Sequence, residues 1–301
     1  MKDELKDKLI EPDILTIQEL FSDRFDVPVY QRPYSWQDSE IKTLLHDIQE
    51  SYEKFVKSQE NDKNTYLYVG NILLHNKKRG LYNIIDGQQR ITTFALLLLA
   101  IYARLHELEV DVQDYQEIQQ ALWKDNRCVI ELASVDKKIV DNLFKEGLNN
   151  PKQLKQFIER TYKPSTQFDE NVKNNFLIAY EFVVKKYADK EDESREIINL
   201  AKYILNKVYL IVLISKYDAY KTFSIFEAIN SKGKKLEEID LIKTQIFSQL
   251  EEKDYSRYLE KWGELIIQTD DKLYEYFKIY LRANIKYYKG NISCKKFQQI
   301  R

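Results

Sequence analysis

Cysteine and histidine are nearly absent. Cys128 and Cys294 are the only cysteines and form no CxxC pair, and only His46, His75 and His106 accompany them, so neither a zinc site nor a disulfide framework is expected. Glycine and proline are scarce too, at 7 and 5 residues, which leaves little material for irregular stretches and points to long helices joined by short loops. Net charge is also missing. With Lys+Arg 47 against Asp+Glu 48 the balance is -1, so no global basic field marks a nucleic-acid binder, although a local basic groove stays open. The longest apolar run, residues 94–103, is too short to span a bilayer, and the charged opening MKDELKDKLIEPD lacks the apolar core of a secretory signal. The expectation is a soluble, cytoplasmic protein with no membrane partner. Apolar residues at 44% and aromatics at 13%, with 22 Tyr in 301 residues, are ample for one large or two medium domains.

The most informative stretch is residues 84–93, IIDGQQRITT. It reads as the end of a buried strand at 81–85, a turn at Asp86-Gly87, and the first turn of the most apolar helix in the chain, which runs from about residue 88 to 108. The first N–H groups of a helix have no intrahelical partner and sit at the positive end of its dipole, so such a turn can hold a phosphate. Asp86 is placed at the N-cap, where it accepts an N–H bond or, with a nucleotide present, helps hold Mg²⁺. Gly87 lets the backbone approach closely, Gln88 and Gln89 can orient a water, and Arg90 offers a planar fork for phosphate oxygens. Asp-Gly is also a common turn and Asp a common cap, so a purely structural role stands beside the chemical one. Three polar side chains between two buried elements nonetheless need partners.

From the N-terminus, residues 14–21 read as a short helix capped by Thr16, and residues 25–29 as a strand. YQRPYSW follows, residues 30–36. Pro33 fixes its own φ and holds Arg32 extended, so the loop is stiff. Tyr30, Gln31, Arg32, Tyr34 and Trp36 combine stacking faces, a phosphate fork and an amide, which suits recognition of a base, a sugar or a phosphodiester; an aromatic loop that merely caps the sheet is the plain alternative. Residues 37–57 carry a helical stripe of Ile41, Leu44, Leu45, Ile48, Tyr52 and Phe55. Residues 66–75 read as a strand with a bulge or close approach at Gly70, turning at 77–80 so that 81–85 returns antiparallel.

From 110 to 206 the pattern is almost wholly helical, with a short strand at 128–132, and no chemistry is read there. Residues 208–214, VYLIVLI, make a continuous apolar run best placed as a fully buried strand returning to the first sheet. Residues 223–247 read as helix, loop, helix; the loop carries Asn230, Ser231, Lys232, Lys234 and Lys235, with Gly233 free to take positive φ. If the strand at 208 lies beside the strand before Asp86, that basic loop faces the same cleft; a solvated helix-helix turn is the alternative. The fold class is α+β. A core at 10–108, a helical insertion at 109–206, completing elements at 207–250 and a helical extension at 251–301 are the expected organisation.

YQRPYSW, IIDGQQRITT and FEAINSKGKKLEEIDLIK, in this order and spacing, closely resemble the amino-terminal domain of GmrSD-type modification-dependent restriction systems. The resemblance covers about residues 10–250 and implies a ParB- and sulfiredoxin-like mixed sheet with packed helices, in a group that includes phosphorothioation-sensing relatives. It implies nucleotide hydrolysis, often of GTP, at Asp86, Gly87, Gln88, Gln89 and Arg90, and sensing of modified DNA by the loop at Gln31 to Tyr34. Nucleotide contacts then fall on Gly87, Thr92, Asn230, Lys232 and Gly233, with Mg²⁺ at Asp86. Such systems usually continue into a His-Asn-His nuclease domain. No such constellation occurs here, so the nuclease is expected elsewhere in a longer chain or in a separate partner.

The expected function is therefore that of an anti-phage sensor and NTPase domain with DNA and nucleotide as partners. Two readings stay open beside it: a DNA-binding module in which Arg32, Arg90 and Lys232 hold a backbone without hydrolysis, and a ParB-like fold that cleaves DNA itself.

Overall fold

A computed structural model describes residues 10–28, 33–58, 65–124, 127–132, 137–160, 162–164, 166–188, 190–216 and 272–284, with isolated positions between 242 and 269. The chain divides into two compact units, residues 1–28 with 33–217, and residues 29–32 with 218–301.

The first unit is built on a six-stranded mixed sheet in the order β1-β8-β3-β4-β2-β7. Strand β1 (Ile10–Thr16) opens it and runs into the short helix α1 (Ile17–Leu20). The junction is a capping box: Glu19 N–H donates to Thr16 Oγ1 at 3.1 Å, and Thr16 N–H donates to Glu19 Oε2 at 2.8 Å. The cap at Thr16 agrees with expectation, but Ile14 and Leu15 belong to the strand. They pair with Ile211 and Leu210 of β8, and that ladder overrides the local helical spacing.

Strand β2 (Arg24–Val27) precedes helix α2 (Asp38–Lys57), which buries Ile41, Leu44, Leu45, Ile48 and Tyr52. Strands β3 (Leu67–Lys78) and β4 (Leu81–Asp86) form the expected antiparallel hairpin. Helix α3 (Gln88–Glu107) then crosses the interior; every residue from 91 to 103 is buried, so no face of it is left for water.

Helix α4 (Gln116–Leu122) leads into the small hairpin of β5 (Trp123–Lys124) and β6 (Arg127–Cys128), and β7 (Ile130–Leu132) joins the main sheet parallel to β2. Helices α5 (Lys137–Asn149), α6 (Leu154–Arg160), α7 (Gln167–Tyr187) and α8 (Glu193–Lys207) follow, and α3 packs against α4, α5, α7 and α8. One core is continuous through sheet and helices.

Strand β8 (Val208–Ser215) closes the sheet. It returns to this sheet as expected and lies between β1, antiparallel, and β3, parallel, so β3 separates it from β4, and the condition that it lie beside the strand before Asp86 is not met. Nor is it buried on both faces. Val208, Leu210 and Val212 are buried, while Tyr209, Ile211 and Leu213 on the opposite face are only half-buried.

In the second unit the longest described element is α9 (Leu273–Asn284), whose Phe277 ring stacks on Trp262 at 6.0 Å. The chain is thus a mixed α/β protein, mostly helical, with nine α-helices among the described residues.

Candidate functional site

Strands β2 and β4 are parallel neighbours, with Asp26 level with Asn83, so their carboxyl ends lie side by side. Residue 28 follows one, residues 33–37 precede α2, and the Asp86-Gly87 turn leaves the other. In open α/β sheets this is the end at which ligands bind.

Asp86 is the last residue of β4, opposite Leu73, and Gly87 rather than Asp86 occupies the N-cap of α3. The turn demands this. Gly87 has φ +96°, and a Cβ there would lie 2.3 Å from Cγ2 of Ile72, so only glycine fits the tight passage from strand to helix. A glycine cap offers no side-chain hydrogen bond to the helix, and the first turn holds no acidic residue. The first turn of this 20-residue helix thus carries no acidic side chain at its positive end, and Asp86 is the residue before its cap.

Gln88 and Thr92 stand one turn apart on this helix. Gln88 is 4% exposed and Thr92 1%, and among the described residues neither the Gln88 amide oxygen nor its nitrogen nor the Thr92 hydroxyl has a hydrogen-bond partner. Leaving such groups buried and unsatisfied costs about 1–3 kcal/mol each.

Gln89 points elsewhere. Its Oε1 accepts from the N–H groups of Ser35 at 2.8 Å and Trp36 at 3.0 Å, and its Nε2 donates to the Pro33 carbonyl at 3.3 Å. The amide clasps the 33–36 backbone on both sides, which is a different task from orienting a water.

Tyr34 is fully buried beneath that loop, its hydroxyl 2.7 Å from Thr93 Oγ1 and 2.7 Å from Asn175 Nδ2. Thr93 Oγ1 donates to the Gln89 carbonyl at 2.7 Å, and each hydroxyl carries one proton. The direction is therefore set: Asn175 Nδ2 donates to Tyr34, Tyr34 to Thr93, and Thr93 to Gln89. The second Nδ2 proton of Asn175 goes to the Trp36 carbonyl at 2.8 Å.

Arg90 donates from Nη1 to the Asn71 carbonyl at 2.8 Å, and its guanidinium lies against Gly70, where a Cβ would come 3.2 Å from Cζ. Gly70 has φ +105° and marks the register shift between Tyr68 and Asn71, the bulge expected there. Among the described residues Arg90 meets no carboxylate, and its remaining N–H donors are available to an anion.

The structure thus brings Asp86, Gly87, Gln88, Gln89, Arg90 and Thr92 together with Pro33, Tyr34 and Trp36. Tyr30, Gln31 and Arg32, and likewise Asn230, Lys232 and Gly233, lie outside the described residues. Among the described residues no group of three His, Cys, Asp or Glu could hold a metal ion. A Mg²⁺ carried by a nucleotide needs only one or two protein carboxylates, and half-buried Asp86 at the strand end is of that kind.

Asn175 went unread in the sequence. Its signal was an amide within the apolar stripe of α7, between Val172 and Phe176 on one side and Ala179 on the other.

The family described as GmrSD restriction endonuclease, N-terminal domain, matches residues 17–247, a span holding both motifs of this site and residues 230–235. No curated protein matches the chain.

Proposed function

The chain belongs to the GmrSD restriction endonuclease N-terminal domain family, and we propose that within such a DNA restriction system it is the nucleotide-hydrolysing sensor that gates cleavage. The observation that carries this reading is the pair Gln88 and Thr92, buried and without hydrogen-bond partners among the described residues, beside a helix N-terminus that has neither an acidic first turn nor a side-chain cap. Buried polar groups are normally satisfied, so a site that leaves two side chains unsatisfied is shaped for something that completes them.

A nucleoside triphosphate supplies what is missing. Its phosphates accept from the first-turn N–H groups of α3 and from Arg90, its Mg²⁺ is held through Asp86, and Gln88 orients the attacking water. Phosphoryl transfer asks mainly for positioning and charge stabilisation, which these groups can provide. Gln89 holds the 33–36 loop, and with it Tyr34 and Trp36, at the same edge. Modified DNA is the ligand proposed for that loop, Tyr30, Gln31 and Arg32 included, and a His-Asn-His nuclease in the same or a separate chain is the proposed effector. Asn230, Lys232 and Gly233 are proposed as further nucleotide contacts.

The test is phosphate release by the full chain with each of the four NTPs and Mg²⁺, with and without modified and unmodified duplex DNA. Turnover that responds to DNA and is lost in Arg90→Ala supports the reading. No turnover under any condition overturns it in favour of a non-hydrolysing DNA-binding module, whose binding weakens steeply with salt. One feature favours that second reading: with the Gln89 amide occupied, Gln88 alone remains to orient water.

A further inference from the structure

Helix α7 lies far along the chain from both motifs, yet one of its residues closes the connection between them. We infer that Asn175 is a positioning residue that couples the 33–36 loop to the first turns of α3, so that a molecule held by the loop changes the pose of the nucleotide end. The inference rests on the functional reading above for the identity of the two ligands, and on geometry alone for the coupling.

The geometry is a one-way chain of donors. Asn175 is fully buried, and both protons of its Nδ2 are used, one on the Tyr34 hydroxyl and one on the Trp36 carbonyl. Tyr34 passes its proton to Thr93, and Thr93 passes its own to the carbonyl of Gln89, whose side chain returns to the backbone of residues 33, 35 and 36. The circuit is closed: loop to α7, α7 to loop, loop to α3, α3 to loop. Such a circuit has few soft joints. Tyr34 is fully buried and its ring cannot shift without displacing core neighbours, and each hydroxyl has spent its single proton.

A displacement of the loop must then either break several hydrogen bonds at once or carry residues 89–93 with it. Because α3 is buried along most of its length, the movement is confined to its first turns, where Gln88 and Arg90 stand. Among the described residues Asn175 Oδ1 is buried without a partner, so the amide stands in the core only half satisfied. A packing role alone would be met better by an apolar side chain at that point of the α7 stripe.

The experiment is residue-resolved amide hydrogen exchange on the full chain, comparing it with Asn175→Ala and with Tyr34→Phe, which removes only the central hydroxyl and keeps the packing. Coupling predicts that exchange at Ser35 and Trp36 and at residues 91–93 rises together, by about tenfold, while α8 is unchanged. Acceleration confined to residues 35 and 36 overturns the inference, as does no change in either variant.

A second readout uses GTP with Mg²⁺ and a duplex carrying phosphorothioate linkages. The duplex is expected to alter GTP affinity by at least about fivefold in the unaltered chain, and that ratio falls to about one in Asn175→Ala, with GTP affinity in the absence of DNA changing less than about twofold. An unchanged ratio in the variant, or a ratio of one in the unaltered chain, overturns the coupling. Absence of GTP binding defeats the nucleotide reading instead, and the exchange comparison then decides the coupling by itself.

Discussion

Gly87 and Ile72 are packed so closely that a Cβ on residue 87 would meet Cγ2 of Ile72 at 2.3 Å and its Cβ at 2.8 Å. The strand β3 residue thereby dictates which amino acid can open helix α3. Gly80 is the natural comparison. Its φ of +72° is also left-handed, but the nearest atom to a Cβ there is Asp23 Oδ1 at 3.6 Å. Gly80→Ala therefore bears backbone strain alone and is expected to cost about 1 kcal/mol, whereas Gly87→Ala adds overpacking against Ile72 and is expected to cost about 2–4 kcal/mol. Urea midpoints of the two variants, measured side by side, check the difference; equal losses would show that Ile72 yields freely.

Gln88 is expected to trade stability for function. Replacing a buried, unpartnered amide with an apolar side chain of similar length removes a desolvation cost, so Gln88→Met is expected to stabilise the ligand-free chain by about 1–2 kcal/mol. The same change removes the group proposed to orient water and lowers GTP turnover by at least about a hundredfold. Thermal unfolding and phosphate release on one preparation test both halves. A variant less stable than the unaltered chain would mean that the amide is satisfied by water and is not waiting for a ligand.

His106 makes stability depend on pH. Burial pushes its imidazole below the ordinary 6.5, with Lys152 adding to the shift, and its ring is wedged edge-on between those of Tyr102 and Tyr115. Its Nε2 is buried without a partner among the described residues. The unfolded chain therefore takes up the proton first as pH falls, so the stability this residue permits is complete above about pH 6.5 and is lost as the pH drops through that value toward the folded one. The melting temperature is expected to fall between about pH 7.5 and about pH 5.5, and His106→Phe to flatten that part of the curve. An equally steep curve in the variant would assign the dependence to other groups.

Local patterns carried much of the architecture. The α2 stripe, the β3-β4 hairpin, the glycine bulge at 70 and the buried α3 are all set by residues within one or two turns of one another, and each is where its spacing puts it. Strand β1 was hidden because ILTIQELF has helical spacing, and its true partner lies about two hundred residues away in β8. The site was legible as a cluster but not as a division of labour. Adjacent glutamines look alike in sequence, and only the fold separates Gln88, buried without partners among the described residues, from Gln89, turned onto the loop. Asn175 needed the tertiary contact itself, since nothing near it in the chain marks what it touches.

Strand β8 has a further consequence, for the order in which the molecule is made. It fills the slot between β1 and β3, yet it is the last strand of its sheet to be synthesised. Until residue 215 has left the ribosome, β1 has no neighbour and one edge of β3 stays open while helices α3 to α8 emerge. Such late closure makes folding slow and exposes an unpaired edge in the meantime. A nascent chain halted before Val208 is thus a hazard to its neighbours in the cell, and one halted shortly after Ser215 has every strand of this sheet.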